Sequence, residues 1–305
     1  MAPSNVTDDA RQNTIRAGLI GRHIGASRSP WLHEREADAQ GLTLSYALFD
    51  FEAMGVDDSH LRVQLQEAAD AGYAGVNITY PYKQEVIAYL DELSPSAARI
   101  GAVNTVQFLY GRKVGHNTDI IGFAESMRVG LPGASLSRVL QLGAGGGGAA
   151  TAQALLDLGA GTLIITDQHS ARAAALVGKL QDAFGRERAA MTSDPGTVLV
   201  SVDGIVNATP MGMAADPQPP IDTARLTSRQ WVADIVYFPL ETELLRAARE
   251  RGCATLDGSG MAVYQAAAAF EIFTGRGADR DRMLRSFLEY SGAVVPRLAG
   301  RGVSR

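Results

Sequence analysis

Apolar positions in this chain fall into two rhythms that replace each other at short intervals. Continuous apolar runs of strand length occupy residues 17–21, 44–51 and 73–79. Stretches with apolar residues three or four apart follow them, at residues 31–39, 59–71 and 83–90, and these predict helices. Gly and Pro punctuate the joins, as in the loop 22–30. Residues 104–109 and 113–116, separated by Tyr110-Gly111-Arg112, read as a hairpin, and a helix is predicted over 118–129. A second series then begins, with strands over 139–142, 161–166, 198–206 and 231–235 and an alanine-rich helix over 149–158. Two last helical stretches, 262–274 and 279–288, are long enough to pack back on the first series. Such alternation predicts an α/β fold with mainly parallel sheets and helices on both faces. A chain of 305 residues exceeds one ordinary domain. Residues 1–118 rejoined by 258–305 are expected to form one domain and 119–257 the other, with an interdomain cleft between them. Residues 1–14 are polar and read as a disordered arm.

The second series opens on Val139-Leu-Gln-Leu-Gly-Ala-Gly-Gly-Gly-Gly148. Gly143, Gly145 and Gly148 are spaced G-x-G-x-x-G between an apolar run and a helical one. The next apolar run ends in Asp167, about twenty residues beyond the glycines. Strand, glycine turn, helix, strand and acid in that order form the dinucleotide-binding (Rossmann-type) pattern. Gly143 suits a tight turn, Gly145 lets the backbone approach a pyrophosphate, and Gly148 lets helix and strand touch. The helix N-terminus then offers unpaired N–H groups and its positive dipole end to the phosphates.

Composition narrows the partners. A net charge of −5 with no Arg/Lys run argues against nucleic acid. No apolar run has the length needed to cross a bilayer, and the first residues lack a signal peptide's apolar segment, so a cytoplasmic protein is expected. The single cysteine, Cys253, rules out an internal disulfide and disfavours a cysteine zinc site, so no metal is expected. The expected partner is a small-molecule substrate, and the expected assembly a monomer or homodimer.

Two polar clusters in the first region carry the candidate chemistry. Asn77-Ile-Thr-Tyr-Pro-Tyr-Lys83 sets Asn77, Thr79 and Lys83 about a strand end broken by Pro81. His116-Asn-Thr-Asp119 sets an acid at the start of a helix. Taken singly, Lys83 reads as a solvated lysine in a helix's first turn, where the dipole disfavours it. The second cluster, taken singly, reads as an N-cap. Together in a cleft they read as a pair, because a lysine beside an aspartate can pass a proton to and from a hydroxyl. Ser27 and Ser29 read either as turn hydroxyls beside Pro30 or as small donors to a carboxylate. His33 falls inside an amphipathic helix and is expected to be structural.

Six segments occur in the order of, and resemble, those of the shikimate dehydrogenase family. They are Ser27-Arg-Ser-Pro-Trp-Leu-His33, Asn77 to Lys83, Gly101-Ala-Val-Asn-Thr105, His116 to Asp119, Asn207-Ala-Thr209, and Asp257-Gly-Ser-Gly-Met261 with Gln265. The resemblance runs over residues 16–290 and implies an NAD(P)-dependent oxidoreductase acting on shikimate or quinate. It implies Lys83 and Asp119 as the catalytic pair. It implies Ser27 and Ser29 for the substrate carboxylate, Thr79, Asn104, Asp119 and Gln265 for the ring hydroxyls, and Tyr237 on the substrate side. For the cofactor it implies Gly143, Ala144, Gly145, Gly146, Gly147, Asp167, Arg172, Asn207, Thr209, Gly258 and Met261.

NADP-using members of that family carry Asn-Arg-Ser/Thr after the second strand of the nucleotide domain, the arginine facing the 2′-phosphate. This chain has Asp167-Gln-His-Ser170, with Gln168 at the arginine position. The resemblance therefore implies NAD rather than NADP, nearest the NAD-dependent quinate/shikimate branch. Arg172, one helical turn further on, keeps a phosphate contact open. Two other readings stay open: an aminoshikimate-type dehydrogenase on the same scaffold, and a non-catalytic NAD(H)-sensing regulator. A sensor has no use for a proton-passing pair.

Overall fold

A computed structural model of the protein describes residues 14–290, so nearly all of the arm expected at 1–14 lies outside the described residues. Two six-stranded sheets organise the described residues. Strand β1 (Ile15–Gly21), buried from Ala17 onward, lies between β2 (Leu44–Asp50) and β3 (Gly75–Ile78), and both pairings are parallel. The expected hairpin is β5 (Thr105–Leu109) and β6 (Arg112–His116), which adds antiparallel strands beside β3. A two-residue strand β4 (Glu92–Leu93) closes the far edge. The first sheet is thus parallel in its β2-β1-β3 half and antiparallel around the hairpin, in the order β2-β1-β3-β5-β6-β4.

The second sheet is parallel throughout, ordered β12-β11-β10-β7-β8-β9. Its members are β7 (Arg138–Leu142), β8 (Thr162–Thr166), β9 (Ala189–Met191), β10 (Gly204–Asn207), β11 (Trp231–Asp234) and β12 (Ala254–Leu256). Counted within this sheet the order is 3-2-1-4-5-6, the doubly wound dinucleotide-binding arrangement. The order reverses between β7 and β10, where a crevice opens at the strands' carboxyl ends. The glycine turn leaves β7 at that point, and the segment after Asn207 leaves β10 beside it.

The chain passes between the sheets on two helices, Thr118–Gly130 outward and Ser259–Thr274 on return. They pack closely because Gly122 presents no side chain: a Cβ there would lie 2.6 Å from the Met261 carbonyl oxygen. The returning helix buries Phe270 and Phe273 against Ala17, Leu19 and Tyr46 of the first sheet. The last described helix, Arg280–Tyr290, is tied down by Arg282, whose guanidinium donates to both oxygens of the buried Glu36 at 2.7 and 2.8 Å.

Two expected elements take other forms. The helix predicted over 83–90 is a turn followed by a 3-10 helix, Glu85–Tyr89. The Lys83 carbonyl accepts the Val103 N–H at 2.7 Å, so it is not available to close an α-helical turn. The strand predicted over 198–206 is a helical turn (Pro195–Val198), a 3-10 turn (Leu199–Ser201) and then β10. Asp194 caps the helical turn by accepting from the Gly196 N–H at 2.9 Å. Leu199 and Val202, three residues apart, are buried in one cluster, a spacing that suits a turn and not an extended strand.

Candidate active site

Lys83 and Asp119 meet in a cavity between the two sheets, with Nζ 2.6 Å from Oδ2. Each is placed by a separate local device. Asp119 sits in the first turn of the helix Thr118–Gly130, where its charge suits the dipole and where Asn117 caps the Ile120 N–H. Asn104 holds that helix start from the other side: its Oδ1 accepts the Thr118 N–H at 2.7 Å and its Nδ2 donates to Thr118 Oγ1 at 2.9 Å. Lys83 ends a loop whose Tyr82 is wholly buried and donates its hydroxyl to Asp58 at 2.6 Å. Asp58 also accepts from Arg22 Nε at 2.8 Å, and the Arg22 N–H donates to the Tyr80 carbonyl. The loop is therefore pinned on both sides of Pro81.

The cavity has a volume of about 220 Å³, suited to a small ring molecule. It collects all eight residues that the sequence assigned to substrate and proton transfer: Ser27, Ser29, Thr79, Lys83, Asn104, Asp119, Tyr237 and Gln265. Ser27 donates its hydroxyl to Ser29 Oγ at 3.2 Å, so the two form one patch. Gln265 stands on the returning helix with Oε1 3.4 Å from Thr118 Oγ1. Tyr237 comes from the segment after β11, on the other side of the cleft. Asn104 is largely committed to Thr118, so much of its work is holding Asp119's helix in place.

Asn77, Arg28 and Phe287 also line the cavity. Asn77 accepts the Tyr46 hydroxyl at 2.7 Å and donates to Thr105 Oγ1 at 2.9 Å. Nothing in the sequence near Asn77 reveals its tie to Tyr46. His33 stacks on the other side of Tyr46, ring centroids 4.7 Å apart, and lies outside the cavity lining. Burial pushes its pKa down to about 3, and its Nδ1 finds no hydrogen-bond partner among the described residues. Unfolded histidine titrates near 6.5, so the stability His33 contributes is complete above that pH and is lost as pH falls. Relative to His33→Leu, the parent should lose about 2 kcal/mol of stability between pH 6.5 and pH 5. Urea unfolding of both proteins across that range measures it, and parallel curves would remove the assignment.

A second cavity, of about 750 Å³, lies at the crevice of the parallel sheet and is lined by Gly143, Gly145, Asp167, Gln168, Arg172 and Thr209 among others. Gly143 has φ +98°, a left-handed conformation, and a Cβ there would lie 2.6 Å from the Ala208 carbonyl oxygen. Gly145, by contrast, faces open space where a Cβ would stand, leaving its backbone free to approach a ligand. The helix begins at Gly146, earlier than the alanine pattern suggests, so its first N–H groups come from the glycines themselves. These features fit a dinucleotide pyrophosphate. Gly147 and Met261 line the smaller cavity, and a Cβ at Gly146 would lie 3.5 Å from Lys83 Cδ, so the two sites adjoin. Ala144 is buried and donates its N–H to Asp167 Oδ2 at 2.8 Å, while the His169 N–H donates to Oδ1 at 2.8 Å. Arg172 Nη1 stands 3.9 Å from the same Oδ1.

Four of the residues expected at the cofactor line neither cavity: Ala144 and Gly146 within the glycine turn, and Asn207 and Gly258 outside it. Asn207 is completely buried: it accepts from the Thr209 N–H and hydroxyl and donates to Asp234 Oδ1 at 2.9 Å. It shapes the segment that carries Thr209 and presents nothing to a ligand. Burial raises Asp234 to about 6, against the pull of its bonds from the Val236 N–H, Thr242 and Asn207. Gly258 is likewise buried, where a Cβ would lie 2.5 Å from the Val236 carbonyl oxygen, so it serves close packing of the returning helix.

Comparison with known proteins identifies the family and the two-domain architecture. The model of the shikimate dehydrogenase substrate binding domain matches residues 19–106, and that of the shikimate 5'-dehydrogenase C-terminal domain matches residues 258–286. A shikimate dehydrogenase (NADP(+)) of Streptomyces avermitilis is 54% identical over 94% of this chain and 99% of its own. A quinate/shikimate dehydrogenase (NAD(+)) of Corynebacterium glutamicum is 46% identical over 90% of this chain and 99% of its own. The solved quinate dehydrogenase from Corynebacterium glutamicum in complex with NAD superposes with a TM-score of 0.86, at 46% identity over 90% of this chain and 99% of that one. The chain belongs to the shikimate dehydrogenase family.

Proposed function

We propose that the protein is an NAD-dependent oxidoreductase that interconverts shikimate and 3-dehydroshikimate, quinate and 3-dehydroquinate, or both pairs. The observation that carries this reading is the 2.6 Å Lys83–Asp119 pair, set in a polar cavity that opens beside the glycine turn. Residues 1–118 and 258–305 hold the ring acid in this reading, and 119–257 hold the dinucleotide. The bound nicotinamide supplies the hydride acceptor or donor. In the oxidation direction Lys83 takes the proton of the ring hydroxyl, and Asp119 orients the amine and balances its charge. In the reduction direction Lys83 returns that proton to the carbonyl oxygen. Ser27 and Ser29 hold the carboxylate, while Thr79 and Gln265 read the ring hydroxyls. Tyr237 and the apolar lining limit water around the reacting carbon.

The preference for NAD is inferred from Asp167. Both of its oxygens accept backbone N–H groups, which keeps the carboxylate in place at the adenosine end. A 2′-phosphate there meets a negative charge. Small serines around the carboxylate leave room for the tetrahedral C1 of quinate, so both ring acids are expected as substrates. Formation of reduced cofactor, followed by absorbance with shikimate, quinate, a deoxy analogue and an open-chain 2-hydroxy acid, tests the whole reading. Turnover of one or both ring acids is expected, with the deoxy analogue strongly disfavoured because cavity polar groups go unpaired. Turnover of the open-chain acid alone would overturn it.

A further inference from the structure

We propose that Asp234 is a positioning residue shared by the two cavities, closing one loop that lines the dinucleotide crevice and another that carries Tyr237 to the ring acid. The inference rests on the proposed reading of those cavities. Asp234 ends β11, is 2% exposed and lines neither cavity. On the crevice side, Asn207 Nδ2 donates to its Oδ1 at 2.9 Å. The same Nδ2 donates to the Met211 carbonyl at 2.9 Å, and Asn207 Oδ1 accepts the Thr209 N–H at 3.0 Å. Asp234 thereby fixes the amide that folds residues 207–211 on themselves, and Ala208, Thr209, Pro210 and Met211 all line the crevice. Gly212 follows at φ +99°, and a Cβ there would lie 3.7 Å from Asp234 Oδ2, so the loop turns beside the carboxylate.

The second loop is held at both ends. The Val236 N–H donates to Asp234 Oδ1 at 3.0 Å, and the Thr242 hydroxyl donates to Oδ2 at 2.8 Å. Residues 236–242 are thus drawn into a loop with Asp234 at its neck, and Tyr237 lines the smaller cavity from it. Thr242 also accepts the Leu245 N–H at 3.3 Å and starts the helix Glu243–Glu250, so the neck is anchored to a regular element. The three donors to Asp234 are uncharged. Burial raises its pKa to about 6, which leaves it an anion at neutral pH that can only accept. Burying an anion on neutral donors costs stability, so the two loops account for this carboxylate better than the fold at large does.

The test measures affinity at each cavity: reduced nicotinamide dinucleotide (NADH) by its own fluorescence, and shikimate by calorimetry on protein saturated with that nucleotide. Thr242→Val removes one hydroxyl outside both cavities and should weaken each ligand roughly 3- to 10-fold. Asp234→Ala removes every acceptor and should weaken each roughly 10- to 100-fold. Asp234→Asn should regain most of that loss, because its oxygen still accepts from Asn207 and Val236 while its amide donates to the Thr242 hydroxyl oxygen. A folded Thr242→Val protein with parental affinity for both ligands would make Asp234 a support of the fold alone and overturn the proposal, and this variant decides if Asp234→Ala does not fold. A change at one cavity only would overturn it too, as would an Asp234→Asn protein no better than Asp234→Ala. A parent protein that binds both ligands and turns over neither shikimate nor quinate would instead defeat the underlying assignment of function, while the affinities still decide the role of Asp234.

Discussion

Lys83→Ala should lower kcat by about 10²–10⁴ while changing the KM for the ring acid far less. The reason is positional. Lys83 ends a loop pinned by Tyr82, Asp58 and Arg22, and it contributes an amine to the cavity without supporting a buried cluster of its own. In the proposed reading, truncation removes the acid/base and leaves Ser27, Ser29 and Gln265 to bind substrate. The loss should fall on the transition state, because only there is the hydroxyl proton in flight. Single-turnover rates with saturating substrate, alongside a thermal melt showing an intact fold, make the measurement. A truncated protein with near-native kcat would mean that another group moves the proton.

Discrimination between NAD and NADP should be roughly ten- to a thousandfold in kcat/KM, in favour of NAD. The opposing influence is Arg172, 3.9 Å from Asp167 and half-exposed, which offers a cation to a 2′-phosphate. The two kinds of relative pull in opposite directions as well, since one is named for NADP and the other for NAD. Gln168→Arg adds a second cation at an exposed position without disturbing Asp167, so it should raise efficiency with NADP and leave NAD use nearly intact. Adding Asp167→Asn should move the preference further, at some cost with both cofactors. An amide offers one acceptor oxygen where the carboxylate offers two, and the Ala144 and His169 N–H groups compete for it. Equal kcat/KM for NAD and NADP in the parent would show that Arg172 governs the site.

Much of this molecule can be read from the chain alone, for physical reasons that differ by region. The parallel strands β7, β8 and β11 are buried on both faces, so each stands out as an apolar run between turn residues. The short edge strands β4, β9 and β12, two or three residues long, leave no such trace. The helix Gly146–Asp157 starts at glycines, which have poor helix propensity, so the start predicted from alanines falls late. The cavity residues emerge as a set because motifs in order mark them, although 36 positions separate Lys83 from Asp119. Asn207 shows the limit. Its neighbours Ala208 and Thr209 line the cofactor cavity, but Asn207 lies opposite Asp234 in the β10–β11 register and spends its amide there. Adjacency in sequence does not tell which way a side chain at a strand end turns.

The return of residues 259–290 to the first sheet also governs how the molecule comes into being. Every strand of the nucleotide sheet lies within residues 138–256, so that half is finished once a single uninterrupted stretch has left the ribosome. The half translated earlier has to wait. Ala17, Leu19 and Tyr46 are covered by Phe270 and Phe273, and Leu32 by Val263, Met283 and Phe287. Until those aromatics arrive, one face of the nascent first sheet stays bare, the condition in which sticky intermediates form. Assembly thus runs against the direction of synthesis: the middle of the polypeptide matures first, and the beginning is completed by the end.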